Sequence, residues 1–260
     1  MASDRCRLCS NSSYKLFSGK LLGKYEVFYF ECPTCGYVQT ENPHWLDEAY
    51  YAPINITDTG ILRRNIVNAR IVQATLMALP ASNAPVVDFA GGYGLLVRQL
   101  RDAGVNALWR DQYCTNLLAK GFEHSDETAS LATAFEVFEH FVDPTAEAQK
   151  IAHLAPTILL STELIPDRTP EPKAWWYYGL DHGQHIGFFK MKSLKYLANR
   201  LGRTLISDGT SYHLLTTEKV NAHAWKFFKR WNAVIVLKNR LNRHSLTQAD
   251  FQTLLGRSRP

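Results

Sequence analysis

At 260 residues, 46% of them hydrophobic, the chain is long enough to bury one sizeable core with accessory elements. No apolar run approaches the ~20 residues that span a bilayer, and Met1-Ala2-Ser3-Asp4-Arg5 opens no apolar leader, so a soluble, cytoplasmic chain is expected. The net charge of +5 is modest and gathers after residue 218, in residues such as Lys219, Lys226, Lys229 and Arg230, where a basic tail can meet nucleic acid, an anionic membrane or an acidic substrate, or form a solvated helix face.

Residues 1–45 carry two CxxC pairs, Cys6-Arg7-Leu8-Cys9 and Cys32-Pro33-Thr34-Cys35. Each pair presents two thiolates on one tight turn. Two such turns supply the four soft ligands of tetrahedral Zn²⁺. No coordination position is left open, so the ion is expected to be structural. Disulfides or a redox pair are the alternatives; a reducing cytosol disfavours the first, and a thioredoxin-like motif would bring one CxxC between a strand and a helix, not two. Short aromatic runs such as Val27-Phe28-Tyr29-Phe30 suit small strands around a metal, a zinc-ribbon-like module. Cys114 stands apart and is expected to pack in the fold.

Residues 46–217 read as strands alternating with helices. A helical stretch runs from Ile61 to Leu79 and stops at Pro80. Val86 to Phe89 reads as a buried parallel strand, followed by a glycine-rich turn and an amphipathic segment from Leu95 to Ala103. Val105–Arg110, Leu131–Phe135, Thr157–Leu160, Thr204–Ile206 and Tyr212–Thr217 are further candidate strands, with helical patterns between most of them. This alternation predicts an α/β doubly wound sheet. Residues 218–260 read as a basic helical extension. Ala224, Trp225, Phe228, Trp231, Ile235 and Asn239 recur at helical spacing over 221–242. Docking on the core is the commoner fate of such a helix; peripheral contact with an anionic membrane is the other.

The turn Asp88-Phe-Ala-Gly-Gly-Tyr-Gly94 ends a strand and opens a helix. Glycines there let backbone come close to a ligand, and an acid ending the next strand, Asp111, is placed to hydrogen-bond ribose hydroxyls. A dinucleotide site would want GxGxxG. Asp88, Ala90, Gly91, Gly92 and Gly94 instead resemble motif I of the class I S-adenosylmethionine-dependent methyltransferases, with Ala90 at the first glycine. Thr133-Ala-Phe-Glu-Val-Phe-Glu-His140 resembles that family's fourth strand and its Glu-His loop, and Ile158–Glu163 its fifth strand. The resemblance implies a Rossmann-like domain with S-adenosylmethionine as cofactor. It places Phe135 and Glu136 beside the methionine part, Gln112 near the ribose and Phe122 against the adenine. Arg64 is a candidate for bidentate capture of the cofactor carboxylate, or a solvent-facing charge.

The order of zinc module, Tyr50-Tyr51 and core resembles bacterial sugar methyltransferases with an N-terminal zinc-binding domain, and the shorter C-terminus resembles those encoded with surface-glycan genes. Their histidine segment after the fifth strand is echoed by Asp181–Phe189, where His185 aligns with the second histidine and His182 is one place out of register with the first. Methyl transfer to a hydroxyl or acidic C–H needs alignment and a base. The candidates are His185, His182, His140 and Glu139. Trp175-Trp176-Tyr177-Tyr178 is an aromatic run on which a sugar could stack, or a lid packed on the core. Tyr50, Tyr51 and Asn55 are candidates to complete the acceptor pocket. A small-molecule or glycan acceptor, with O- or C-methylation, is expected. The alternatives are a zinc-containing nucleic-acid-binding protein and an RNA or protein methyltransferase.

Overall fold

A computed structural model of the chain describes residues 4–51, 58–230 and 244–257. In chain order the elements are β1 (Tyr14–Leu21), β2 (Tyr25–Glu31), β3 (Val38–Thr40), α1 (Leu46–Ala49), α2 (Ile61–Ala78), β4 (Val86–Phe89), α3 (Leu95–Asp102), β5 (Ala107–Arg110) and β6 (Leu131–Phe135). Then come α4 (Pro144–Leu154), β7 (Thr157–Ser161), β8 (Gly187–Phe188), α5 (Met191–Arg200), β9 (Thr204–Ser207), β10 (Tyr212–Thr216), α6 (Ala222–Arg230) and α7 (Thr247–Arg257). One sheet has the order β1-β2-β3-β8 and the other β5-β4-β6-β7-β10-β9. β4 pairs in parallel with both β5 and β6, and β10 pairs antiparallel with β9. The expected α/β doubly wound class is borne out. The chain divides into two compact units, Met1–Asn55 with Phe135–Lys150 and Leu160–Thr216, and Ile56–Ala134 with Ile151–Leu159 and Thr217–Pro260.

The first unit is built on the four-stranded sheet. β2 alternates, and its inward residues Val27 and Tyr29 are fully buried. The sheet gains its fourth strand from far along the chain, with Val38 opposite Phe188 and Gln39 opposite Gly187. Only glycine fits at 187, because a Cβ there would run into the Tyr37 hydroxyl. Tyr29, Val38, Ile165, Tyr177, Tyr178 and Phe188 form one apolar cluster; Leu21, Val27, Trp45 and Ile186 form another. Trp45 Nε1 donates to Gly183 O at 2.8 Å and Leu22 N to Leu180 O at 2.8 Å. These bonds hold segment 179–186, which carries His182 and His185, over the N-terminal strands.

The second unit is built around β4. Val86 and Val87 are buried, as an apolar run inside a parallel sheet requires. α3 buries Leu96, Val97 and Leu100 on one face. No helix lies between β5 and β6. Side chains there satisfy the backbone in turns: Asp111 Oδ1 accepts from Tyr113 N and Cys114 N, Asn116 Oδ1 from Ala119 N, and Glu127 Oε2 from Ser125 N. α6 packs against α2 through Trp225, which is fully buried and donates from Nε1 to Thr75 Oγ1 at 2.9 Å. Trp231, Ile235 and Asn239 of the expected longer helix lie outside the described residues. Among the described residues, no helix is long and apolar enough to cross a membrane.

Candidate active site

The glycine-rich turn leaves β4 with three left-handed residues, Ala90 (φ +57°), Gly92 (φ +54°) and Gly94 (φ +85°). Gly91 and Gly94 are glycine for lack of room. A Cβ at 91 would sit 2.9 Å from Asp88 Oδ2 and from the Trp109 ring, and one at 94 would sit 2.8 Å from Asn116 Oδ1. At Gly92 a Cβ would meet nothing within 4 Å, so this is where the backbone lies open to a ligand. Ala90 holds a left-handed conformation that costs a side-chain-bearing residue energy, a mark of functional turns. The turn is braced by Trp109 Nε1 donating to Gly92 O at 2.8 Å and by Gly92 N donating to Asp111 Oδ2 at 2.9 Å.

Asp88 is buried under this turn and accepts from Thr133 Oγ1 at 2.6 Å. Burial pushes its carboxyl up to about 7; the Thr133 hydroxyl opposes the rise and the Asp111 charge adds to it. An unfolded aspartate ionises near pH ~4. The folded chain therefore holds a proton that the unfolded chain has released, and stability is lost as pH rises through that window. Asp88→Asn, whose carbonyl oxygen can still accept from Thr133, is expected to abolish this loss, on the order of 4 kcal/mol between pH ~4 and ~7. Urea midpoints of both proteins across this range check it; parallel curves would refute it.

Other residues expected at the cofactor fall out differently. The Arg64 fork is engaged by Asp58, with Nη1–Oδ1 at 2.8 Å and Nη2–Oδ2 at 2.6 Å. Phe122 is buried, with the Arg101 guanidinium 3.7 Å over its ring. Gln112 is exposed. Glu136 follows β6 at φ +55°; its N donates to Ser161 Oγ at 2.9 Å, and Ser161 Oγ donates back to Glu136 Oε1 at 2.6 Å. The Phe135 ring meets Tyr212 edge-on.

The first unit gathers the expected acid–base residues. Glu139 and His140 form a single 3-10 turn after β6, and His185 precedes β8. One ligand atom each from Glu139, His140 and His185 lies within 4.8 Å of the others. His185 Nδ1–H donates to Tyr177 O at 2.6 Å, which leaves the lone pair on Nε2. The Tyr50 hydroxyl bonds His140 Nδ1 at 2.7 Å. His182 packs on His185 with ring centroids 4.8 Å apart, and its Nδ1 accepts from Gln184 N. Burial, then the neighbouring His140, holds the His185 imidazole well below its ordinary value, and burial with His182 brings His140 down to about 4. Burial, then the Glu136 charge, pushes Glu139 up to about 8. Both imidazoles are thus neutral near pH 7.

The aromatic run divides. Tyr177 and Tyr178 are core residues, and Tyr178 Oη donates to Pro170 O at 2.8 Å. Trp175 packs against Tyr177, Tyr178 and Phe188, whereas Trp176 is 76% exposed and Tyr51 is 94% exposed. Asn55 lies outside the described residues. At the N-terminus, Cys6, Cys9, Cys32 and Cys35 are buried and unbridged, with ligand atoms within 4.8 Å of one another.

A methyltransferase-domain family profile matches residues 63–208, more than half of the chain. The chain belongs to this methyltransferase-domain family. The matched span includes the glycine-rich turn, Asp111, the Glu139–His140 turn and His185. Among solved structures, the methyltransferase is similar to CalO1, a methyltransferase in calicheamicin biosynthesis in its SAH-bound form, at 13% identity over 60% of this chain and 55% of that one, TM-score 0.42. Human N-acetylserotonin methyltransferase in complex with SAM matches at 13% identity over 67% and 66%, TM-score 0.44. An O-methyltransferase family protein from Burkholderia thailandensis matches at 14% identity over 67% and 68%, TM-score 0.42. The chain thus spans little more than half the length of the first of these. No curated protein sequence matches it significantly.

The residues around the glycine-rich turn fit S-adenosylmethionine, the cofactor that the motif resemblance implies. The open backbone at Gly92, the left-handed Ala90 and the α3 N-terminus offer a cradle, with the Asp111 carboxylate at its rim. Three supporting residues escape a motif-based reading: Trp109, Thr133 and Ser161. The signal for two of them is present. Thr133 and Ser161 are polar residues near the carboxyl ends of apolar strand runs, where an α/β sheet places its ligands.

Proposed function

We propose that the methyltransferase acts on a sugar, nucleotide-linked or part of a surface glycan, at oxygen or carbon. His185 serves as general base or as the group that orients the acceptor. The observation that carries this reading is the Glu139–His140–His185 cluster, with Glu139 and His185 buried and Tyr50 bonded to His140. S-adenosylmethionine supplies an electrophilic methyl group on a sulfonium. The residues of the chain do the rest. Tyr177 O fixes the His185 tautomer, so that Nε2 can take a proton from an acceptor hydroxyl. Tyr50 orients His140 beside it. The exposed rings of Trp176 and Tyr51 offer the flat apolar faces on which sugar C–H groups stack. Incubation with isotopically labelled S-adenosylmethionine and a panel of nucleotide-sugars and glycans, read by mass spectrometry, tests the assignment. Label appearing only in RNA or protein would refute it. A nucleic-acid reading is less well supported, since Trp225 of the basic segment is a core residue rather than a displayed stacking ring.

The four cysteines are proposed to hold one structural Zn²⁺. The Cys6–Cys35 and Cys9–Cys32 sulfurs lie 3.6 and 3.4 Å apart. Sulfurs at the corners of a tetrahedron with Zn–S bonds of ~2.3 Å are ~3.8 Å apart. Elemental analysis is expected to find about one zinc per chain, and Cys32→Ser to lose folded, soluble protein before it alters chemistry. A folded, active preparation without zinc would refute the site.

A further inference from the structure

Glu139 is fully buried, and among the described residues neither of its carboxyl oxygens has a partner at normal hydrogen-bond geometry. The hydroxyls of Tyr177 and Thr162 act on the carboxyl at longer range and bond each other at 3.4 Å. A buried carboxyl left this way is costly unless a cation or a proton matches it. Two imidazoles share its space, with His140 Nε2 3.9 Å from Glu139 Oε1. Each has its Nδ1 engaged elsewhere, His185 on a backbone carbonyl and His140 on the Tyr50 hydroxyl. That is the outer-shell bonding that fixes a metal-ligating histidine with Nε2 toward the ion.

We propose that Glu139, His140 and His185 form a divalent transition-metal site, distinct from the four-cysteine cluster, whose open positions take an acceptor hydroxyl. Two imidazoles and one carboxylate are borderline-to-hard donors. They suit Fe²⁺ or Mn²⁺ better than Ca²⁺ or Mg²⁺ and leave coordination positions free. Metal–ligand bonds of ~2.0–2.2 Å would draw the three atoms together by about an ångström, within the reach of side-chain rotation. His185 is the least mobile of the three, being pinned to Tyr177 O; His140 is the part-exposed member through which an ion enters. The inference rests on the reading of His185 as an acceptor-orienting residue, and has it orient the acceptor through a cation.

The test is cobalt(II) titration of the full chain with its cysteine cluster already filled with zinc, followed by visible absorption. Cobalt bound by imidazole and carboxylate gives ligand-field bands without the intense thiolate charge-transfer band of a cysteine site. Wild type is expected to show such bands saturating near one added equivalent. Glu139→Gln and His185→Asn are expected to lose them at the same cobalt concentration, while both still bind S-adenosylhomocysteine by calorimetry and so are folded. His140→Asn stands in should either variant fail to fold. Absence of these bands in wild type, or their persistence in the variants, overturns the site. If the bands are absent and His185→Ala still abolishes turnover, the metal site falls while the base reading stands. If the bands are present and His185→Ala turns over normally, the acceptor reading falls and the site stands.

Discussion

Replacing His185 by alanine is expected to lower turnover by about 10²–10⁴-fold while leaving S-adenosylmethionine affinity unchanged, the loss typical of a positioned acid–base group. The side chain is buried and tied through Nδ1–H to Tyr177 O. Calorimetry on the variant should match wild type even as the rate collapses. His182→Ala should do less, because His182 packs on the His185 ring with its Nδ1 taken by Gln184 N. The pH profile gives an independent check. An ordinary histidine base titrates near pH ~6.5 and loses rate as pH falls through that value. His185 is held well below it by burial, so its neutral form persists and the rate should not fall there. Wild-type turnover of His185→Ala on the true acceptor would refute the assignment and move attention to Glu139 or His140.

Asp250→Ala is expected to cost about 3–5 kcal/mol of stability, because it strips the partner from a buried cation. Arg101 presents Nε to Asp250 Oδ2 at 2.8 Å and Nη2 to Oδ1 at 2.6 Å, and Arg98 Nη2 adds a third bond at 2.8 Å. Arg101 Nη1 donates to both Asn106 Oδ1 and Ala107 O, and the guanidinium lies over Phe122. With Asp250 gone, an almost buried charge has no counter-ion. Burial alone would raise the Asp250 carboxyl, but Arg101 and Arg98 hold it below its ordinary value. Its contribution is therefore present above pH ~4 and lost as the pH falls further, so wild type and variant should converge in acid. Denaturant midpoints at pH 7 and in acid measure both effects. A difference under about 1 kcal/mol at pH 7 would mean the pair is solvated and the argument fails.

The second unit and its glycine-rich turn were largely legible because their signals are local. Val86–Phe89 and Leu131–Phe135 are apolar runs closed by polar or glycine-rich residues, and the strands fall on those spans. The turn concentrates its logic in seven consecutive residues. The convergence of Glu139 and His140 with His185 joins positions some 45 residues apart. No spacing rule carries that, since it depends on where the 179–186 segment is laid. The two-residue strand Gly187–Phe188 has no periodicity to detect, and it exists only because β3 offers it an edge. In Trp175–Tyr178 composition alone does not say which rings turn inward; hydrogen bonding of Tyr178 to Pro170 O and contact with Phe188 decide it. The stretch between β5 and β6 lost its helix to Asp111, Asn116 and Glu127, each of which offers backbone N–H groups a nearer partner than the next helical turn.

The pairing of Val38 and Gln39 with Phe188 and Gly187 bears on how the chain is made. A ribosome releases β1, β2 and β3 long before the strand that completes their sheet. Until residue 188 emerges, β3 presents an open edge, and Tyr29 and Val38 lack the Phe188 side of their cluster. Such edges invite pairing with other nascent chains. An ion captured early by the four cysteines would hold the hairpin and knuckles together through that wait. Zinc supply during synthesis, more than in the finished enzyme, would then set the yield of folded protein. The N-terminal strands expressed without residues 160–190 should aggregate, and supplying that segment in trans should rescue them.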